Sequence, residues 1–337
     1  MNNVARMHPN QRAELFAEVA DRKGMSDAII EKDFWVCWVL KQLFSIESMS
    51  GRLLFKGGTS LSKIFHAINR FSEDIDLAVD YAVLGFTGER NPRCVNISKT
   101  RRAAILAEMT VACQRYIGGE FLEALKSRCE EVLGKGDAWS LDVNQQDPNV
   151  VQFRYPTATA KSLAYVSPQV ILELGTHAEF VPHDNFILRS FAGEEFPKVV
   201  ADGDVAVIAL LAKRTFWEKA TILHAEYHRP LEKQILDRYS RHYYDISMLA
   251  NGPIRSEALS DMLLLAQVVR HKETFYPSGW ARYDLARPGS LRLVPREERI
   301  AALERDYRNM GVMIFGEPPA FGGIIETLAA LERDINK

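Results

Sequence analysis

The chain has 337 residues, 47% of them apolar and 26% charged, with a net charge of −2 and four cysteines; that length is more than one core usually holds, so two domains are expected. The near-neutral charge excludes polyanion binding by overall electrostatics, and the scattered Cys37, Cys94, Cys113 and Cys129 exclude a paired-cysteine zinc ribbon or thioredoxin-type site. No run approaches the ~18 consecutive apolar residues of a membrane span, and few cysteines without a signal peptide predict a cytoplasmic protein.

Residues 1–50 carry a helical pattern, and from Asp27 to Phe44 the residues Ile29, Ile30, Phe34, Val36, Trp38, Val39, Leu40 and Leu43 predict a largely buried helix. Gly51 ends that block. Leu53-Leu54-Phe55 then predicts a short buried strand that stops at Gly57-Gly58. A helix is expected from Thr59 to Arg70, with Leu61, Ile64, Phe65 and Ile68 at i, i+3, i+4 and i+7 and Thr59 or Ser60 as its cap. At Asp74 the period changes to two: Ile75, Leu77 and Val79 share one strand face, and Asp74, Asp76 and Asp80 share the other. Residues 81–100 read as loop, 101–133 as helix, and 149–155 and 168–174 as strands. From about 200 onward the pattern is helical, broken at Asn251-Gly252-Pro253. The fold class is therefore α+β. A domain over residues 1–200 holds a small mixed sheet flanked by helices, and a helical domain covers 201–337, with the boundary at about 195–205.

Strand, glycine turn, helix and acidic strand over residues 53–80 form a compound pattern. Two glycines let the backbone approach a phosphate closely, the amides of a helix N-terminus face that phosphate, and Thr59 and Ser60 add hydroxyl donors. The phosphate-binding candidates are thus Gly57, Gly58, Thr59 and Ser60. Asp74 and Asp76 are two apart on a strand, so their carboxylates point the same way, which suits Mg²⁺ or Mn²⁺. Paired metals serve displacement at phosphorus. Glu173, out of phase with Val170, Leu172 and Leu174, is a candidate third metal carboxylate. Alone, an Asp-x-Asp is most often a solvated strand face and a Gly-Gly a simple turn. Their combination points to a catalytic site that binds metal and phosphate.

The stretch KGGTSLSKIFHAINRFSEDIDL resembles the AbiEii/AbiGii nucleotidyltransferase toxin family, which includes the MenT-type toxins, within the polymerase-β-like superfamily. The family pattern sets Arg70, Ser72, Asp74 and Asp76 in register, and the EKDFWV segment and parts of the C-terminal half extend the resemblance. It implies Mg²⁺-dependent transfer of a nucleoside monophosphate from an NTP to an acceptor, with catalysis resting on Asp74, Asp76, Lys219 and Asp245. Lys219, in RTFWEKATILH, would contact the triphosphate, with Lys213 as the alternative lysine. Asp245, in RHYYDISMLA, would complete the site near the acceptor or the lysine. Ser72 would lie near the γ-phosphate, and in such toxins the matching serine can be modified when the toxin is silenced. No dedicated base is evident; Asp76, Glu173 and Asp245 are the candidates. The implied acceptor is RNA, such as a tRNA 3′ end, in a type IV toxin–antitoxin or phage abortive-infection system. The implied partner is an antitoxin that need not touch the toxin. The alternatives are AMPylation of protein, transfer to a small molecule, or a non-catalytic NTP-binding module. Without the resemblance, Lys213 and Lys219 read as surface lysines, and Asp245 pairs with Arg241 at i, i+4.

Two stretches are candidate nucleic-acid contacts, though each also reads as a solvated face. One holds Arg90, Arg93, Lys99, Arg101 and Arg102. The other holds Arg270, Lys272, Arg282, Arg287, Arg292 and Arg296, interleaved with Phe275, Tyr276, Trp280 and Tyr283. His224 and His228 lack the glutamate placement of a zinc helix and are expected to be structural.

Overall fold

The structure, a computed structural model, describes residues 1–159 and 167–337. The chain divides into two units. Met1–Ile64 with Ser72–Leu210 form the first, and Phe65–Phe71 with Leu211–Lys337 form the second.

The first unit contains α1 (Asn2–Ala5), α2 (Pro9–Lys23), α3 (Asp27–Phe44), β1 (Leu53–Lys56), α4 (Gly57–Lys63), β2 (Asp74–Val79), α5 (Lys99–Tyr116), α6 (Leu122–Leu133), β3 (Ser140–Val143), β4 (Val150–Arg154), β5 (Gln169–Gly175), β6 (His183–Leu188), α7 (Phe191–Glu195) and β7 (Val205–Leu210). The seven strands form one mixed sheet in the order β3-β4-β5-β2-β1-β7-β6. β2 runs antiparallel to β1 and parallel to β5. The predicted alternation along β2 holds: Ile75, Leu77 and Val79 are fully buried, and Asp74 and Asp76 lie on the other face. α3 packs its aromatic stripe on the buried face, with Trp35 stacked on Tyr155 and Trp38 on Phe153 at ring distances of 5.6 Å each. Burying side chains such as Phe34 and Leu40 completely contributes roughly 1.5–3 kcal/mol apiece.

The second unit is built from α8 (Ala212–His228), α9 (Ser240–Ala250), α10 (Ile254–Leu259), α11 (Met262–Phe275), α12 (Glu297–Met310) and α13 (Phe321–Ile335). Phe216, Trp217 and Leu223 of α8, Tyr243 and Ile246 of α9, and Leu328 and Leu331 of α13 are buried in it. Residues 65–71 join this unit by main-chain pairing. Phe71 N–H donates to Met313 O at 2.7 Å and Phe315 N–H donates to Asn69 O at 2.8 Å, around a bridge between Arg70 and Ile314.

Two expectations need correction. The helix after the glycines starts at Gly57 and ends at Lys63, so it does not run from Thr59 to Arg70. Ile64, Phe65 and Ile68 keep helical phase in the sequence, but the backbone of 69–71 is paired with 313–315, which a continuing helix would forbid. The region after residue 200 is also not helical at first. Val205–Leu210 is strand β7, hydrogen-bonded between β1 and β6, and the helices begin at Ala212. An apolar run of six residues has no polar face to reveal its period, and here Val205, Val207 and Ile208 supply the β-branched residues that fit a pleated sheet. The first unit extends to Leu210.

Candidate active site

In the first unit, β1 ends at Lys56 and α4 begins at once with Gly57 at φ +80°. A Cβ added there would lie 1.8 Å from Asp76 Oδ2 and 2.5 Å from its Cγ. Gly57 is thus required twice, for a left-handed backbone and for the approach of the Asp76 carboxylate. The glycine turn and the acidic strand meet at this point. α4 is fixed from two sides. The buried Thr59 hydroxyl donates to Asp74 O at 2.5 Å and lies 3.1 Å from Ser72 Oγ. At the other end of α4, Lys63 forms a buried ion pair with Asp33 of α3 at 2.7 Å, and its ammonium sits 3.9 Å from the Phe191 ring centre. Ser60 Oγ turns back to Gly57 O at 2.9 Å. The hydroxyls of Thr59 and Ser60, expected on phosphates, are therefore engaged as tethers, and no side chain caps the leading amides of α4. Gly58 is buried in the same turn.

Register places the carboxylates on one sheet face. Asp76 lies opposite Glu173 of β5 and opposite Lys56 of β1, and Asp74 lies opposite Ile171. Lys56 Nζ reaches Asp76 Oδ1 at 3.9 Å. Burial raises the Asp74 carboxyl from its ordinary value to about 6. Glu73, Glu173 and Asp76 add to the rise, and Lys32 opposes it. Negative charge is in excess here, and a divalent cation would relieve it. Among the described residues, no three His, Cys, Asp or Glu side chains converge tightly enough to enclose a metal. The donor set fits Mg²⁺, which is commonly held by one or two carboxylates together with substrate phosphates. Asp74 and Asp76 meet that need, with Glu173 beside them on the sheet.

The EKDFWV segment carries the resemblance without a role for its charges, and these support the acidic strand. Lys32, 2% exposed on α3, forms an ion pair with Glu73 and donates to Ser167 O at 3.1 Å. Its neighbour Glu31 accepts from Ala158 N and Thr159 N at 2.7 and 3.0 Å. Three successive charged residues, Glu31, Lys32 and Asp33, are buried on one helix. The EKD triplet inside an otherwise apolar helix was the available signal.

The second unit brings Lys219 and Asp245 together, with a residue the pattern had marked only for register. Asp245 is fully buried and accepts two hydrogen bonds from Arg70, at 2.7 and 2.9 Å. Lys219 Nζ lies 2.9 Å from the same carboxylate and 3.4 Å from His242 Nδ1. Burial works against ionisation of Asp245, but Arg70 and Lys219 outweigh it and hold the carboxyl well below its usual range. Lys219 is pushed below the ordinary lysine range by burial, and Asp245 opposes while Arg70 assists. His242 is held neutral by burial and by Lys219 and Arg241. Two cations thus share one anion. Asp245 is paired across 175 residues of sequence with Arg70, not with Arg241 one turn away. Lys213 instead pairs with Asp261 at 2.8 Å, outside this cluster.

The other candidates separate. Arg90 and Arg101 pair with Glu108, Arg93 with Glu179, and Arg102 donates to Pro92 O and Cys94 O, so these four arginines are engaged within the first unit. Phe275 is core, stacked on His271, while Trp280 and Tyr283 are half-buried and Tyr276 exposed. His224 receives Arg292 N–H at Nδ1, 3.0 Å, so its Nε2–H donates to Arg282 O, 2.9 Å; both ring nitrogens serve the fold. No helix among the described residues is long and apolar enough to cross a membrane.

Compared with solved structures, the chain is similar to MenT4, a nucleotidyltransferase toxin from Mycobacterium tuberculosis H37Rv. Identity is 16%, coverage is 94% of this chain and 98% of that one, and the TM-score is 0.44. It is also similar to JHP933 from Helicobacter pylori, at 11% identity, with 90% and 93% coverage and a TM-score of 0.41. No curated protein sequence matches significantly. Residues 38–332 match the family model described as nucleotidyl transferase AbiEii toxin, type IV toxin–antitoxin system. Because that match spans most of the chain, including the glycine turn, the acidic strand, Lys219 and Asp245, the protein belongs to the AbiEii nucleotidyltransferase toxin family.

Proposed function

We propose that this toxin transfers a nucleoside monophosphate from a Mg²⁺- or Mn²⁺-bound NTP to RNA, such as a tRNA 3′ end, in the cytoplasm. Its cognate antitoxin need not touch it. The observation that carries the reading is the meeting of Gly57 with Asp76, beside an Asp74 whose surroundings are over-supplied with negative charge. Asp74 and Asp76 hold the metal, with Glu173 on the same face. When bound, that metal supplies charge neutralisation at the reacting phosphate. The amides at Gly57, Gly58, Thr59 and Ser60 cradle phosphate oxygens, and Ser72 lies next to Thr59 at the strand entry. Lys219 neutralises charge on the phosphates, and Asp245 holds Lys219 and Arg70 in place. The acceptor hydroxyl attacks the α-phosphorus and pyrophosphate leaves. Asp76 or Glu173 receives the hydroxyl proton, since Arg70 and Lys219 hold Asp245 ionised.

The test offers each of four labelled NTPs with total RNA, with protein and with a small-molecule acceptor panel. Label is expected in RNA and is expected to fall about 10²–10³-fold in Asp74→Ala, with relief of growth arrest on expression. Label in protein or in small molecules alone would overturn the RNA acceptor. NTP binding without transfer to any acceptor would overturn the enzyme reading.

A further inference from the structure

The C-terminal end of α8 carries a feature that nucleotide transfer does not use. Tyr227 leaves the helix with Arg292 and Arg296 held against its ring, their guanidinium carbons 5.5 and 5.4 Å from the ring centre. Two residues on, Arg229 lies 5.4 Å from the centre of the Trp280 ring, and Lys233 lies 5.9 Å from it. Both rings are only half-buried. His224, one turn earlier on α8, accepts from Arg292 N–H and donates to Arg282 O, so the segments bearing Trp280 and Arg292 are both pinned to this helix. All of these residues belong to the second unit.

A guanidinium laid on a ring is fixed in position while its N–H donors stay available. Some of these cations are partly neutralised: Arg229 by Glu226 at 3.3 Å, Arg282 by Asp284 at 3.0 Å, and Arg292 by Glu332 at 3.2 Å. Glu332 is divided, since it also accepts from Leu293 N and Val294 N. Among the described residues, Arg296 and Lys233 have no carboxylate within ion-pair distance. A positive surplus remains. His228, set among these groups, has its imidazole pushed down to about 4 by burial, with His224, Arg282, Arg296 and Arg292 adding to the shift.

We infer that this face of the second unit, built on Tyr227, Trp280, Lys233, Arg292 and Arg296, binds single-stranded polynucleotide, with the cations on phosphates and the rings against bases. The inference deepens the RNA reading above, and its biological sense rests on it. Ring faces beside pre-set guanidinium groups are what an unstacked strand can use. A duplex hides its base faces, and an acidic protein has no need of the rings.

The experiment titrates the full chain with a fluorescent oligouridylate of about 16 nucleotides, at several salt concentrations, using anisotropy. Trp280→Ala is expected to weaken binding roughly ten-fold, with Trp280→Phe recovering most of it. The Lys233→Ala/Arg296→Ala double variant disrupts no ion pair. It is expected to flatten the log–log salt slope by about 1.4, or about 0.7 for each lost phosphate contact. Unchanged affinity and slope in these variants, with unchanged circular dichroism, would overturn the surface even if RNA is labelled. Equal competition by polyglutamate or by duplex RNA would overturn it in favour of a general electrostatic platform. Oligouridylate binding that depends on these residues, in an enzyme that labels only protein, would uphold the surface and refute the RNA acceptor.

Discussion

Asp74 and Asp245 are carboxylates of the same kind in opposite surroundings. Around Asp74, burial and three further carboxylates oppose ionisation, and Lys32 moderates them. Around Asp245, Arg70 and Lys219 crowd a single buried anion. One region has too much negative charge for its surroundings, and the other has too much positive charge. A buried cluster that balances itself is finished; one that does not is prepared for something from outside. A cation would relieve the first cluster, and an anion the second.

The sharpest way to break this comparison is Asp245→Asn. The substitution keeps the side-chain shape but leaves Arg70 and Lys219 buried without their anion. A loss of about 3–5 kcal/mol in denaturant unfolding is expected, and adding Lys219→Met should recover part of it. A loss below about 1 kcal/mol would mean that the pairing is not what holds the cluster. The next effect is smaller. Gly57→Ala combines a strained φ with a carbon set into Asp76, and is expected to cost about 1–3 kcal/mol. It should also displace the carboxylate, so Mn²⁺ affinity measured by electron paramagnetic resonance should fall with stability.

The pH dependence sets the two carboxylates against each other. Folding raises the Asp74 pKa from 3.8 to about 6. Between those values the folded state binds the proton more tightly than the unfolded chain does, and stability falls as pH rises. The expected loss in metal-free protein is on the order of 1–2 kcal/mol, seen in melts across pH 4 to 6. Asp74→Asn should abolish it, and saturating Mg²⁺ should reverse it. Asp245 acts in the other direction. Its depressed pKa contributes stability that is present above the ordinary carboxylate range and is lost only as pH falls below it. A metal-free protein that gains stability from pH 4 to 6 would sink the assignment of excess negative charge to the Asp74 region. The smallest effect belongs to Lys213→Ala. Its pair with Asp261 is partly exposed, so a change below about 1 kcal/mol is expected, with transfer activity retained. A severe loss of activity would instead assign the phosphate lysine to position 213.

What was legible in the sequence was local. The two-residue period of β2 exposes Asp74 and Asp76 as a pair, and Gly57 announces a backbone that no other residue suits. Pairings across long stretches of chain were not legible. Arg70 looks like the end of an amphipathic helix until Asp245, 175 residues away, takes its guanidinium. Nothing near Lys32 in sequence announces its partners, Glu73 and Ser167. β7 was read as helix because VAVIAL is apolar on both faces, so only its hydrogen-bonded neighbours decide its shape.

The placement of residues 65–71 bears on how this gene product can be divided. Those seven residues count with the helices after Leu210, although the chain enters and leaves them from the sheet-bearing part. A single cut after Leu210 would therefore yield no pair of self-sufficient pieces. The leading fragment would keep an arginine stripped of its carboxylate, and the trailing fragment would lack the strand that pairs with Met313 and Phe315. Split-protein reporters, domain fusions and natural recombination at that joint should all fail for the same reason, whereas an excision that carries 65–71 with the helices respects the way the chain is woven.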